Sequence, residues 1–198
     1  MNPHDGAHEP RWRQAIASGE LGLWDLRLEL ETVQYSPQWK ERLGFPDPRL
    51  ADSTHFWRCR VHPEDLDGML AAMRAHIDGH QPAYAAAFRL RSNGSGYRRV
   101  HSRGRVVDRT ASGRATRIVG TMIDLTDRPV SPAAGLPEGP RGAMAGIPLE
   151  LPFHEVLAAE GPAEFHARVA PERQRLLHLV QDLLHDSLAH LDARRRAE

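Results

Sequence analysis

One cysteine, Cys59, in 198 residues rules out an internal disulfide framework and suits a reducing compartment, so the expected location is the cytoplasm. Net charge is lacking too. With 26 Lys+Arg against 26 Asp+Glu there is no basic field to hold a nucleic-acid backbone or an anionic membrane, and nucleic acid is not an expected partner. No apolar run approaches the ~20 residues of a membrane span. Residues 1–10 lack the basic-then-apolar order of a secretion signal. The chain also has no His-Glu-x-x-His or Cys/His metal set, no glycine-rich phosphate loop, no nucleophile elbow and no kinase signature. No catalytic residue and no metal site is therefore expected, and the chain reads as a protein that is not an enzyme.

What is present is a 40% hydrophobic share, enough for one core, with Gly 16 and Pro 15 distributed unevenly. Trp12, Ala15 and Ile16 have helical spacing before Gly19. Leu26, Leu28 and Leu30 alternate with Asp25, Arg27 and Glu29 as a half-buried strand, and Thr32 to Tyr35 reads as its hairpin partner. Ser36-Pro37 opens a short helix, with the serine hydroxyl expected to cap a free N–H. His62-Pro63-Glu64-Asp65 opens a longer one, which places Leu66, Met69, Leu70, Met73 and Ile77 on one face and stops at Gly79.

Beyond residue 80 the period changes from about 3.6 to 2. Tyr84 to Arg91, Tyr97 to Asp108 and Arg117 to Leu125 form three strands, the first two joined by the turn Ser92-Asn93-Gly94-Ser95-Gly96. Two strands, helices, then three strands predict an α+β fold with a five-stranded antiparallel sheet and flanking short helices. Residues 1–11 read as a flexible N-terminus and 129–149 as a Pro/Gly/Ala-rich linker. Residues 150–198 read as helical, with candidates at 152–160, at 163–169 and from Pro171 to about Arg195.

Several phrases, in order, resemble the PAS superfamily, in the subgroup whose long helix opens with His-Pro-Glu/Asp-Asp. They are Leu21-Gly22-Leu23-Trp24-Asp25, Tyr35-Ser36-Pro37-Gln38-Trp39-Lys40, Leu43-Gly44-Phe45, Val61-His62-Pro63-Glu64-Asp65, Phe88-Arg89-Leu90, Gly96-Tyr97-Arg98 and Gly120-Thr121-Met122-Ile123-Asp124-Leu125-Thr126. The resemblance covers about residues 12–128. It implies a sheet cupping short helices around a small cavity, and a role in bacterial-type signal transduction through a homodimer or a signalling-protein partner. It also makes Asp124 and Thr126 the signal exit. Position 99, where the family commonly has Trp, is Arg99 here.

The cavity implied by this resemblance would be lined by Leu26, Tyr35, Met69, Met73, Ile77, Phe88, Ile118 and Met122. It is either filled by these side chains or open to a small apolar ligand; methionine walls adapt to both. No cofactor is expected. Flavin is disfavoured because Cys59-Arg60 matches only two letters of the light-oxygen-voltage phrase and, among the later strands and their turn, only Asn93 is an Asn or Gln. Cys59 then reads as a partly buried small residue. Haem is the alternative cofactor, with His76 or His80 as axial ligand in the manner of haem-binding PAS sensors; the other reading of this pair is surface polarity.

In the last segment Leu177, Val180, Leu184 and Leu191, widened by Leu176, Leu179, Leu183 and Leu188, make an apolar band that needs a cover. Homodimerisation, the PAS sheet and a partner are the three candidates. Glu172-Arg173-Gln174-Arg175 followed by Leu184-His185-Asp186 resembles the phosphoacceptor helix of a histidine-kinase subgroup. On that reading His185 accepts a phosphoryl group from another protein, since no ATP-binding domain follows in these residues.

Overall fold

The computed structural model describes residues 11–45, 49–94, 96–126, 151–158 and 163–197, the side chains of 163–168 excepted. The predicted linker 129–149 and nearly all of the predicted N-terminal segment lie outside the described residues. In chain order the elements are α1 (Arg11–Ala17), β1 (Leu21–Arg27), β2 (Thr32–Tyr35), α2 (Pro37–Arg42), β3 (Asp52–Ser53), α3 (Thr54–Arg58) and α4 (Pro63–Ile77), then β4 (Tyr84–Arg91), β5 (Tyr97–Arg109), β6 (Ala115–Asp124), α5 (Phe153–Ala158) and α6 (Ala163–Arg195). The strands form one antiparallel sheet in the order β3-β2-β1-β6-β5-β4.

The sheet has six strands where five were expected. The extra one, β3, is two residues long, too short for any period to register. It is anchored from beneath by the buried Lys40, whose ammonium pairs with Asp52 at 2.9 Å and donates to the Leu50 carbonyl at 3.0 Å. Trp57 Nε1 donates to the same Asp52 carboxylate at 2.9 Å, which also seats α3, a helix that the apolar spacing does not announce.

Two helix starts differ in mechanism. At α4 the His62 ring accepts the Glu64 N–H at 3.3 Å and Pro63 needs no donor. Asp65, instead of merely facing the helix dipole, clasps Arg89 of β4 through its main-chain N–H and its guanidinium, each at 2.8 Å. These bonds hold the Asp65 carboxyl well below its ordinary pKa. At α2 the expected cap is not made. Ser36 Oγ accepts from Leu23 N–H at 3.0 Å and Ser36 N–H donates to Leu23 O at 2.8 Å, so the hydroxyl extends the β1–β2 ladder by one pair.

The alternation in β1 and β6 divides the apolar residues between two cores, one on each face. The inner face carries Trp24, Ile118 and Met122 and is covered by α2, α3 and α4. The outer face carries Leu21, Leu23, Val119 and Ile123 and is covered by α1, α5 and α6. Of the three candidate covers for the leucine band, this structure uses the sheet: Leu176, Val180, Leu183, Leu184 and Leu191 are all buried in that outer core. Each such side chain contributes about 1.5–3 kcal/mol by leaving water.

The break expected at Pro171 does not occur, and α6 runs through it. The proline ring is exposed and removes one backbone bond, while buried Val169 and Leu176 hold the helix to the sheet on both sides.

Candidate sensory cavity and signal exit

A row of residues crosses the inner face from edge to edge: Tyr84 on β4, Gly104 on β5, Gly120 on β6, Trp24 on β1 and Tyr35 on β2. The two glycines are the reason a tryptophan can lie flat there. A Cβ on Gly120 would sit 2.3 Å from the Trp24 ring and 2.0 Å from the Arg103 carbonyl, and one on Gly104 would sit 2.4 Å from the ring. Trp24 is fixed at its far end by its Nε1–H, which donates to the Thr121 carbonyl at 3.0 Å, and its ring meets Tyr84 edge-on at 6.0 Å. Glycine inside a strand thus marks a close approach.

Above this row lies a cavity of about 110 Å³. Leu26, Tyr35, Met69, Met73, Phe88 and Met122 line it, while Ile77 and Ile118 pack in the adjoining core and are not on the wall. Apolar spacing put both isoleucines on the right face, but Ile118 is fully buried among the inner-core side chains and Ile77 packs against that core. Sequence reasoning missed Trp24, Trp57, Tyr84 and Ser102 on the wall. The strand glycines were the signal available for Trp24. Burial pushes the Tyr35 and Tyr84 hydroxyls far above the ordinary phenol range, so both stay neutral donors.

His76 is buried in the α4–β5 joint, and both of its ring nitrogens are engaged. Nδ1 lies 2.9 Å from the Gln81 carbonyl, and Nε2 accepts the Val106 N–H at 2.9 Å. With Nδ1 as the donor it pins the end of α4 to β5, leaving no nitrogen for a metal in this arrangement. His80 is exposed beyond the helix stop. Cys59, expected to be partly buried, is exposed at the end of α3 with Sγ 3.4 Å from His55 Nε2; the five-residue α3 is too short to turn it inward.

At the end of β6 the carboxylate of Asp124 does two things. Oδ2 accepts from Arg98 Nε at 2.8 Å within a fully buried ion pair, and Oδ1 accepts the Thr126 N–H at 2.9 Å. Thr126 Oγ1 in turn accepts the Arg99 N–H at 2.6 Å. The exit is therefore a closed turn welded to β5, and Arg99 stands there with its side chain exposed.

The last turn of α6 adds a grip from the other side of the sheet. Arg194 donates to the main-chain carbonyls of Asp124 at 2.6 Å and Thr126 at 2.7 Å. Further along, Arg103 pairs with Asp186, Arg105 with Asp182, and Thr121 Oγ1 meets Ser187 Oγ at 2.8 Å in the buried centre of the interface. His185 is exposed on the opposite side of α6.

A third polar knot joins α5 to the sheet. Asp25 and Arg117 form a buried ion pair at 2.6 Å, and Asp25 Oδ2 also accepts the Phe153 N–H at 3.0 Å. Arg117 reaches Glu172 of α6 at 3.4 Å.

An antiparallel sheet curled over short helices, with a small apolar cavity beneath it and a braced chain exit, is the architecture of a sensory domain. Residues 32–122 match the family model of the PAS fold. The chain is similar to a sensory box histidine kinase/response regulator from Burkholderia thailandensis, at 28% identity over 60% of this chain and 86% of that one, with a TM-score of 0.50. It is also similar to the N-terminal domain of a diguanylate cyclase with PAS/PAC sensor from Marinobacter aquaeolei, at 23% identity over 52% and 94%, with a TM-score of 0.45. No curated protein matches. Residues 32–122 thus form a PAS-fold domain, and a PAS domain is a sensory module. Among the described residues no helix is long and apolar enough to cross a membrane.

Proposed function

We propose that this chain is a non-enzymatic, cytoplasmic PAS signalling module of bacterial-type signal transduction, in which α6 is the output element. The observation that carries the reading is the pair of hydrogen bonds that Arg194 donates to the Asp124 and Thr126 carbonyls. It ties the strand that ends the cavity wall to the helix that covers the outer face. Met122, on the cavity wall, lies two residues before Asp124, so a change in the cavity strains the grip directly. Loss of the grip frees the apolar face of α6 and of the sheet, and either surface then pairs with a second copy or with a signalling partner.

The test compares the parent chain with Arg194→Ala and Leu183→Asp by light scattering and amide hydrogen exchange. A protected α6 in a monomeric parent, with lost protection and concentration-dependent self-association in the variants, supports the reading. Unchanged protection in both variants sinks it.

A second reading is a sensor for a small apolar molecule, supported by the cavity itself. About 110 Å³ suits only a small ligand, being less than the roughly 150 Å³ of an apolar cavity that holds one benzene. A haem does not fit that volume, and His76 already uses both nitrogens. Absorption spectroscopy separates the two: a Soret band lost in His76→Ala favours haem, and a featureless visible region removes it. The phosphotransfer reading rests on the exposed His185 and is tested with a histidine kinase and labelled ATP; equal labelling of His185→Ala ends it.

A further inference from the structure

The larger cavity is not the one inside the domain. Where α1, the start of α2 and α5 meet there is a cleft of about 390 Å³, inside the size range of small-molecule sites, whereas 110 Å³ lies below it. Its apolar wall is Trp12, Ile16 and Leu157, and two arginines, Arg13 and Arg49, also line it, the Arg13 guanidinium lying 5.5 Å from the Trp12 ring centroid. Glu155, exposed on the first turn of α5, is the one carboxylate among the lining residues described, so the formal charge of the wall is +1.

We propose that this cleft binds a small organic monoanion with an apolar body, an aryl- or alkyl-carboxylate of about six to twelve heavy atoms. The apolar wall takes the body and the guanidiniums take the carboxylate by charge-assisted hydrogen bonds. The apolar wall, which inorganic phosphate has no body to cover, favours a carboxylate with an apolar body over phosphate.

His154 supplies the remaining polar group. It lies on the wall, makes no hydrogen bond among the described residues, and is held neutral because burial pushes its imidazole down to about 4. The nearest acidic group, Asp25, acts in the opposite sense but is already engaged by Arg117 and lies 3.4 Å from Arg27. The ring N–H is therefore available to an incoming carboxylate, and an anion placed beside it stabilises the imidazolium. Occupancy also has a structural consequence. Residues of α1 and α5 lie in the same outer core as α6, so a ligand bridging them reinforces the layer that covers the sheet.

The test uses the isotope-labelled full chain with 3-phenylpropionate, its neutral amide and inorganic phosphate as probes, reading the Trp12 indole and His154 imidazole resonances. Saturable shifts of both with the acid, an upward move of the His154 titration on binding, and at least tenfold weaker binding of the amide are expected. Arg49→Gln, whose side chain is exposed, should weaken the acid about five- to tenfold while the chain stays folded. Equal binding of acid and amide overturns the proposal, as do shifts confined to Tyr84 and Met73 of the inner cavity. So does the absence of saturable shifts at Trp12 and His154 up to about 10 mM with aryl and straight-chain carboxylates alike.

Discussion

Arg194 donates at 2.6 Å to the main-chain carbonyl of Asp124, the residue whose own carboxylate neutralises the buried Arg98. One aspartate thus joins the inner core to the outer helix, through its side chain on one side and its backbone on the other. Replacing Arg194 by Ala removes two charge-assisted bonds at a partly buried site. The expected cost is about 1.5–3 kcal/mol, read as a fall in the urea midpoint.

Gly120→Ala should destabilise far more than its size suggests. The new methyl would lie 2.0 Å from a backbone carbonyl and 2.3 Å from Trp24, and neither can move without disturbing the sheet. A loss of about 2–4 kcal/mol is expected in chemical denaturation. Gly68→Ala on the exposed face of α4 meets nothing within 4 Å and should raise stability by up to about 1 kcal/mol.

The Asp25–Arg117 pair is nearly fully buried, so removing one partner strands the other. Asp25→Ala is expected to cost about 3–5 kcal/mol and to release α5, which loses the bond from Phe153 N–H. The double change Asp25→Leu, Arg117→Leu should cost much less than the sum of the single changes. A thermal-melt cycle measures the difference.

Stability should fall between neutral and mildly acid pH. Burial lowers the His154 pKa from 6.5 to about 4, and His101, beside the His190 ring at 5.2 Å, is lowered by burial, by Arg103 and by His190. Both groups are neutral in the fold and take up protons more readily when exposed. Their contribution is complete above about pH 6.5 and is lost as pH falls below it, for His154 down to about pH 4 and by up to about 3 kcal/mol. Urea midpoints measured from pH 7.5 to 4.5 should show this slope, and His154→Gln should flatten it.

Most of the inner half of the molecule was legible in the chain. The period of two in 84–91, the apolar strand read over 117–125, the helix face of Leu66, Met69 and Met73, and the stop at Gly79 each depend on neighbours in sequence, and each reappears in space, the last strand as Ala115–Asp124. Six of the eight expected cavity residues line the wall for the same reason. The aromatic row was not legible, because Tyr84, Trp24 and Tyr35 are brought together by strand pairing across long sequence separations.

The long helix α4, the strands β1, β2 and β4–β6 and the wide leucine band of the last helix were determined by sequence alone, since hydrophobic period is local; β3, α3 and the bonds that close the exit at Asp124 and Thr126 were not. The partner of that band was decided only by tertiary structure. An apolar stripe specifies that something must cover it, not what, and the choice of the outer sheet face follows from Leu21, Leu23, Val119 and Ile123 presenting an equally apolar surface in the same chain. The engagement of both His76 nitrogens, the burial of Lys40 and the cleft between α1, α2 and α5 were decided there too. Each depends on where a side chain ends in three dimensions, which no spacing along the chain encodes.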